Sequence, residues 1–327
     1  MTSGEDSLIA RYFRPLATDP GAFGLGDDAA VLSALGDDIV VTTDAIVEGV
    51  HFLSADPPDT IARKALRVNL SDLAAKGTTP AGFVLTLALS STEDAWLAPF
   101  ARGLGEDISL FGCPLLGGDT VSTPGPRMIS ITAFGRIPVG KTVHRSGARP
   151  GDRVMVTGTI GDAALGLAVL KGGAVATALA DDAVAKEMVV GRYRVPQPRN
   201  ALAKAIRDHA HAAMDVSDGL AGDLAKLCAA SGVSAVIEAA SIPLSAAASG
   251  LLARGIVGVE AIVSGGDDYE ILCAIPQAGL EAFKQAAQTA GVAVAVIGKV
   301  VEGASSPRLL DKQGKEIALP RLSYSHF

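Results

Sequence analysis

Short acidic clusters, most of them set beside glycine, recur along this chain and constrain its folding more than any other feature. They are Gly26-Asp27-Asp28, Thr42-Thr43-Asp44, Asp72, Gly117-Gly118-Asp119-Thr120, Asp215-Val216-Ser217-Asp218 and Ser264-Gly265-Gly266-Asp267-Asp268-Tyr269-Glu270. Most fall at the ends of expected strands or next to glycine, where side chains can converge on a cleft. Asp72 is the exception, on an expected helix. Two carboxylates about 5 Å apart at an effective dielectric near 20 repel by roughly 3 kcal/mol, and each further neighbour adds to that. Hard cations remove the conflict. Carboxylates with hydroxyls suit Mg2+, which keeps waters and bridges to substrate phosphates, whereas the scarcity of His and Cys in the clusters disfavours zinc. The pattern therefore points to phosphoryl transfer, although a lone Gly-Asp is commonly a turn and Asp218 can simply open a helix over 219–230.

Between the clusters, helical and extended patterns alternate. Leu8, Ile9, Tyr12, Phe13 and Leu16 repeat at helical spacing, and 37–43 reads as a strand. Asp59 can cap a helix running to Lys76 and stopping at Gly77. Strands are expected over 83–89 and 128–134, with a helix between them after Ser91–Asp94. The turn-rich stretch around Gly147, Pro150 and Gly151 marks a boundary, giving domains of 1–148 and 149–327. The second half reads as helices from Asp162, around 201–211, from Asp218 and between the last two strands, with strands over 153–157, 233–238, 269–275 and 292–297. The fold class is α/β, in a mixed α+β arrangement, in both halves.

Composition narrows the function classes. The chain has 327 residues, 49% hydrophobic and 19% charged, which suits two globular domains. A net charge of −7 without a dense Lys/Arg stripe argues against nucleic acid as a partner. No apolar run approaches the roughly 20 residues of a bilayer span, so no membrane partner is expected, and the N-terminus lacks a signal-peptide layout. Cys113, Cys228 and Cys273 are widely spaced and odd in number, which fits a reduced cytoplasmic protein with buried thiols.

Two phosphate-loop look-alikes fail on context. Gly135 to Thr142 spells G-x4-G-K-T, but Gly147, Pro150 and Gly151 leave no room for the helix that such a loop must feed. Gly24-Leu25-Gly26-Asp27-Asp28-Ala29 resembles the start of a dinucleotide fingerprint, yet its two aspartates would repel pyrophosphate unless a metal intervened. Glu48-x-x-His51 copies a di-iron fragment, but Gly49 and neighbouring valines disfavour a helix.

Taken in order, the clusters and their flanks resemble the thiamine-monophosphate kinases, of the ATP-binding superfamily that also holds aminoimidazole ribonucleotide synthetase. The segments that carry the resemblance begin with Gly4 to Phe13, Gly26 to Val31, Thr43 to Phe52, Lys64 to Ala75 and Gly117 to Thr120. They continue with Arg145 to Ala148, Asp215 to Leu220, Ser264 to Glu270 and Tyr324 to Phe327. The resemblance implies a two-domain aminoimidazole ribonucleotide synthetase-like fold whose N-terminal sheet joins that of a second copy in a dimer barrel. It implies direct transfer of the ATP γ-phosphoryl group to thiamine monophosphate. By motif, Asp28, Thr42, Thr43, Asp44, Asp72, Asp119, Asp215 and Asp218 would hold several Mg2+ ions. Gly118, Asp119, Arg145 and Ser217 would contact ATP; His51, Asp267 and Tyr324 would contact the thiamine phosphate. Asp44, Asp119, Arg145 and Asp218 would carry catalysis. Lys76, where the family often has Met, would add a cation near the end of the Asp72 helix. Rival readings are another ATP-dependent member of the superfamily and a non-catalytic nucleotide- or thiamine-binding regulator.

Overall fold

The computed structural model describes residues 8–25 and 32–323, so Asp28 and Tyr324 lie outside the described residues. By its internal contacts the chain divides into two units. The first holds Met1–Leu73 and Thr78–Lys141, the second Ala74–Gly77 and Thr142–Phe327.

In the first unit a π-helical turn, Ile9–Phe13, precedes strand β1 (Asp38–Val47), helix α1 (Pro58–Ala75), β2 (Thr79–Leu89), α2 (Asp94–Phe111), β3 (Leu115–Ser122) and β4 (Met128–Ile137). The strands form one sheet in the order β1-β4-β2-β3, antiparallel except for the β2–β3 pair. β4 alternates half-buried and buried residues along its whole length, the mark of a strand with one face on a core. Ile46, Leu85, Leu87 and Ile131 from the sheet pack with Leu66, Leu70 and Leu73 of α1 and Leu97, Phe100 and Leu104 of α2. Each such side chain, fully buried, contributes about 1.5–3 kcal/mol. Between the two helices, Arg67 grips Asp107 through Nε (2.6 Å) and Nη2 (2.8 Å), with both side chains buried.

The second unit opens with β5 (Arg153–Thr157), followed by α3 (Asp162–Lys171), α4 (Ala174–Ala178), α5 (Ala183–Arg194), α6 (Ala203–His209), β6 (Ala212–Asp215) and α7 (Leu220–Ser231). Then come β7 (Ser234–Glu238), α8 (Ala246–Ala253), α9 (Val259–Val263), β8 (Ile271–Ile275), α10 (Leu280–Thr289), β9 (Val294–Val301) and β10 (Arg308–Leu310). Its six strands run β10-β7-β9-β5-β8-β6. β8 is buried at all five positions, because both faces of the sheet are covered. Val154, Met214, Leu272 and Leu224 lie in one cluster, while Met155, Ala213, Ile271 and Phe283 lie in another. Neighbours in sequence therefore feed different cores, as a two-fold side-chain period requires. All three cysteines are buried free thiols; burial pushes Cys113 and Cys273 up to about 12 and Cys228 up to about 11.

The mixed α/β expectation holds. β3 was not foreseen as a strand, since Gly117 and Gly118 offer no side-chain pattern to read. The helix expected from Asp218 begins at Leu220, with Gly219 as its N-cap.

Candidate functional site

In the first unit the candidate residues cluster on β1 and the helix against it. Thr42 Oγ1 donates to Asp72 Oδ2 at 2.5 Å, which ties the strand to α1. Asp44 lies two residues beyond Thr42 and so projects to the same side of the strand; it is exposed. Thr43 points the other way, donating to Ile131 O at 3.2 Å and accepting from Thr132 Oγ1 at 3.0 Å. Across the sheet one row runs Asp44, Ile131, Leu85, Gly118, and the next runs Ala45, Ser130, Thr86, Asp119. Three strand spacings separate β1 from β3, about 14 Å. The sheet therefore brings Thr42, Asp44 and Asp72 together but sets Asp119 apart from them. Gly118 has a backbone reason to be glycine: a Cβ there would lie 1.9 Å from Leu85 O.

His51 stands just beyond β1. Its Nδ1 accepts the Val47 N–H at 3.1 Å, which assigns its proton to Nε2 in the neutral ring. The buried Lys64 donates to His51 O at 2.8 Å. Glu48 and His51 flank a turn with Gly49 at φ 82°, so the di-iron look-alike has no helix. The P-loop look-alike is the end of β4 followed by a turn in which Lys141 N donates to Pro138 O; no helix begins between that turn and Asp162.

In the second unit, β6 delivers Asp215 at its C-terminal end, 7% exposed. Beyond it, the amides of Ser217 and Asp218 both donate to Asp223 Oδ2, at 3.0 and 2.9 Å. Lys226 then bridges Asp218 Oδ2 (2.6 Å) and Asp223 Oδ1 (2.8 Å). Burial raises the Asp223 carboxyl, with Lys226 opposing. For Lys226, burial pulls down, but its bonds to Asp218 and Asp223 outweigh that and raise it. Asp223 and Lys226 escaped the sequence reading because they act from within α7, five to eight residues past the motif they hold.

The Ser264–Glu270 segment docks on the same loop. Asp267 N donates to Ser217 O, Tyr269 N to Val216 O and Val216 N to Glu270 O, each at 2.8 Å. Ser217, Asp218 and Asp267 are thus brought together. Arg145 lies on an exposed loop whose main chain is fixed on both sides of it: Ala213 N donates to His144 O at 3.0 Å, and Ser231 Oγ accepts from Gly147 N at 3.2 Å. Lys76, expected as an extra cation, donates its ammonium to Ala213 O at 2.8 Å.

Among the described residues, no group of three or more His, Cys, Asp and Glu side chains is gathered to hold a metal ion. The candidate donors are carboxylate and hydroxyl oxygens, with Thr42 and Asp72 already paired. That set fits Mg2+, which needs one or two carboxylates plus waters and phosphate oxygens rather than an all-protein cage.

Residues 26–137 match the AIR synthase related protein, N-terminal domain, and residues 149–308 its C-terminal domain. The chain is 47% identical over 324 residues to a thiamine-monophosphate kinase of Caulobacter vibrioides, covering 97% of this chain and 89% of that one. It superposes on the crystal structure of thiamine-monophosphate kinase from Stenotrophomonas maltophilia with a TM-score of 0.83 at 36% identity, covering 97% and 99% of the two chains. Against a structure of AaThiL complexed with AMPPCP and TMP the TM-score is 0.76 at 29% identity, over 94% of this chain and 97% of that chain.

Proposed function

The chain belongs to the thiamine-monophosphate kinases of the AIR synthase related family, and from that premise we propose that it transfers the ATP γ-phosphoryl group to thiamine monophosphate, giving thiamine diphosphate and ADP. The observation that carries the reading is the 47% identity to a kinase of that name across 97% of the chain. The oxygen-only acidic clusters in both units support it.

The acceptor is a phosphate oxygen, ionised at neutral pH, so no strong general base is needed; positioning and charge neutralisation suffice. Mg2+, when bound, would supply positive charge that offsets the negative charge of the transferred phosphoryl group. Asp44, Asp72, Asp119, Asp215 and Asp218 would hold such ions, with Thr42 adding a hydroxyl and Asp28 a further carboxylate; Thr43, expected among them, directs its hydroxyl to the opposite face of the sheet, against Ile131 O and Thr132. Their distribution, with Asp119 three strands from Asp44, suits several ions rather than one. Arg145 and the Ser217 and Gly118 segments would orient ATP. Asp267 would face the cationic ring system of the acceptor, with His51 and Tyr324 completing that contact. We assign residues 1–148 to ATP and Mg2+ binding and to dimerisation through the N-terminal sheet, and 149–327 to completing the site. Among the described residues no helix is long and apolar enough to cross a membrane, and the reduced, buried thiols agree with a cytoplasmic enzyme.

The test is direct. Purified protein with Mg·ATP and thiamine monophosphate should yield thiamine diphosphate on chromatography, and an absence of product across metal conditions sinks the proposal. Asp44→Asn and Asp218→Asn should each lower turnover by about 10²-fold or more while leaving the melting temperature within a few degrees. Near-normal turnover in both variants would remove these residues from the chemistry.

A further inference from the structure

Beneath Asp267 the second unit buries a charged cluster that neither the proposed metals nor the proposed substrates touch. Glu270 is wholly buried and accepts from Arg192 Nη2 at 2.6 Å, from Arg199 Nε at 2.6 Å and Nη2, and from Thr157 Oγ1 at 2.5 Å. Gly158, at φ 58°, leaves room for this carboxylate: a Cβ there would lie 2.0 Å from Glu270 Oε1. Asp268, equally hidden, accepts from Gly161 N at 2.8 Å.

Ion clusters of this kind contribute little net stability, because desolvation offsets the attraction. The chain above the cluster gives it a different use. Asp267 (φ 73°) and Tyr269 (φ 49°) both adopt left-handed backbone without being glycine. Such conformations cost about 1–3 kcal/mol each and persist only where the surroundings over-determine them. Three backbone bonds to residues 216 and 217 hold the segment from one side. From the other side, Arg192 Nη2 reaches both Glu270 Oε1 and the main-chain carbonyl of Asp268, the latter at 3.3 Å. Arg199 bonds the Glu270 carboxylate without that second grip.

We propose that Arg192 is a positioning residue: by holding the Glu270 carboxylate and the Asp268 carbonyl together, it keeps Asp267 in its left-handed turn against Ser217, facing the cationic ring of the acceptor. The inference rests on Asp267 serving the acceptor, as proposed above. Arg199 supplies the control, since Arg192→Met and Arg199→Met each remove one ion pair to the same carboxylate.

Amide hydrogen exchange and steady-state kinetics on the full chain decide it. Arg192→Met should speed exchange at the Asp267 and Tyr269 amides about ten-fold and raise KM for thiamine monophosphate about ten-fold, with KM for ATP within about two-fold of wild type. Arg199→Met should lower the melting temperature comparably and leave both KM values and those two amides within about two-fold. Equal effects of the two substitutions, unchanged exchange in Arg192→Met, or an unmoved acceptor KM would each overturn the proposal. Wild-type protein that turns over no thiamine monophosphate would instead defeat the functional reading, and the exchange comparison would still show whether Arg192 holds the turn.

Discussion

At the scale of single residues, the carboxylates of the second unit divide by burial. Asp218 stands partly exposed against Lys226, while Asp268 is enclosed, and burial pushes its carboxyl well above the ordinary value near 3.8 despite the Gly161 amide. A carboxyl raised in this way keeps its proton in the folded state over a range where the unfolded chain has released it. Folding stability from this group is present at low pH and falls as pH rises from about 4 towards the folded pKa, by up to about 1.4 kcal/mol per pH unit. Asn carries no such proton. The melting temperature of Asp268→Asn relative to wild type should therefore improve as pH rises above about 4, and a flat difference would mean that Asp268 ionises like a surface carboxylate. The motif Gly266-Asp267-Asp268 showed none of this in advance. Two adjacent aspartates look alike in a sequence, and only the fold turns one outward and the other inward.

Among the elements, those with a strict period were legible and those without were not. β4 and β8 announced themselves by alternation and by a continuous apolar run, and α1 by Asp59 at its start and the glycine past its end. β3 was hidden by its paired glycines. α5, which carries Arg192, spreads its apolar residues without a clear stripe and was not anticipated. The Arg67–Asp107 pair was equally invisible, since 40 residues separate partners that only the packing of α1 on α2 brings together. Removing one partner strands a buried charge, which costs about 3–5 kcal/mol. Asp107→Ala should lose that much in urea denaturation, and a loss below about 1 kcal/mol would mean that the two helices do not depend on the pair. The proposed site residues could be read as motifs because each motif is contiguous, but the bonds of Asp223 and Lys226 from within α7, and of Glu270 to Arg192 and Arg199, show only in the fold.

For the whole molecule, the sheet of the first unit has one face on its core and another that carries Val41 (56% exposed), Thr43 and Thr132. On the proposal that two copies join through their N-terminal sheets, this apolar and hydroxyl-bearing face is the meeting surface. Val41→Glu would place a charge on that face, at its β1 edge. Light scattering should then show wild-type protein at twice the chain mass and the variant at the chain mass; a variant that stays at twice the mass would put the interface elsewhere.

The three enclosed cysteines have a practical corollary. With all three thiols buried and burial pushing them up to about 11 or 12, native protein should ignore maleimide dyes and mild oxidants alike. A single cysteine introduced on an exposed loop would then be the only labelling handle, so fluorescence reporters can be attached without first stripping the natural ones.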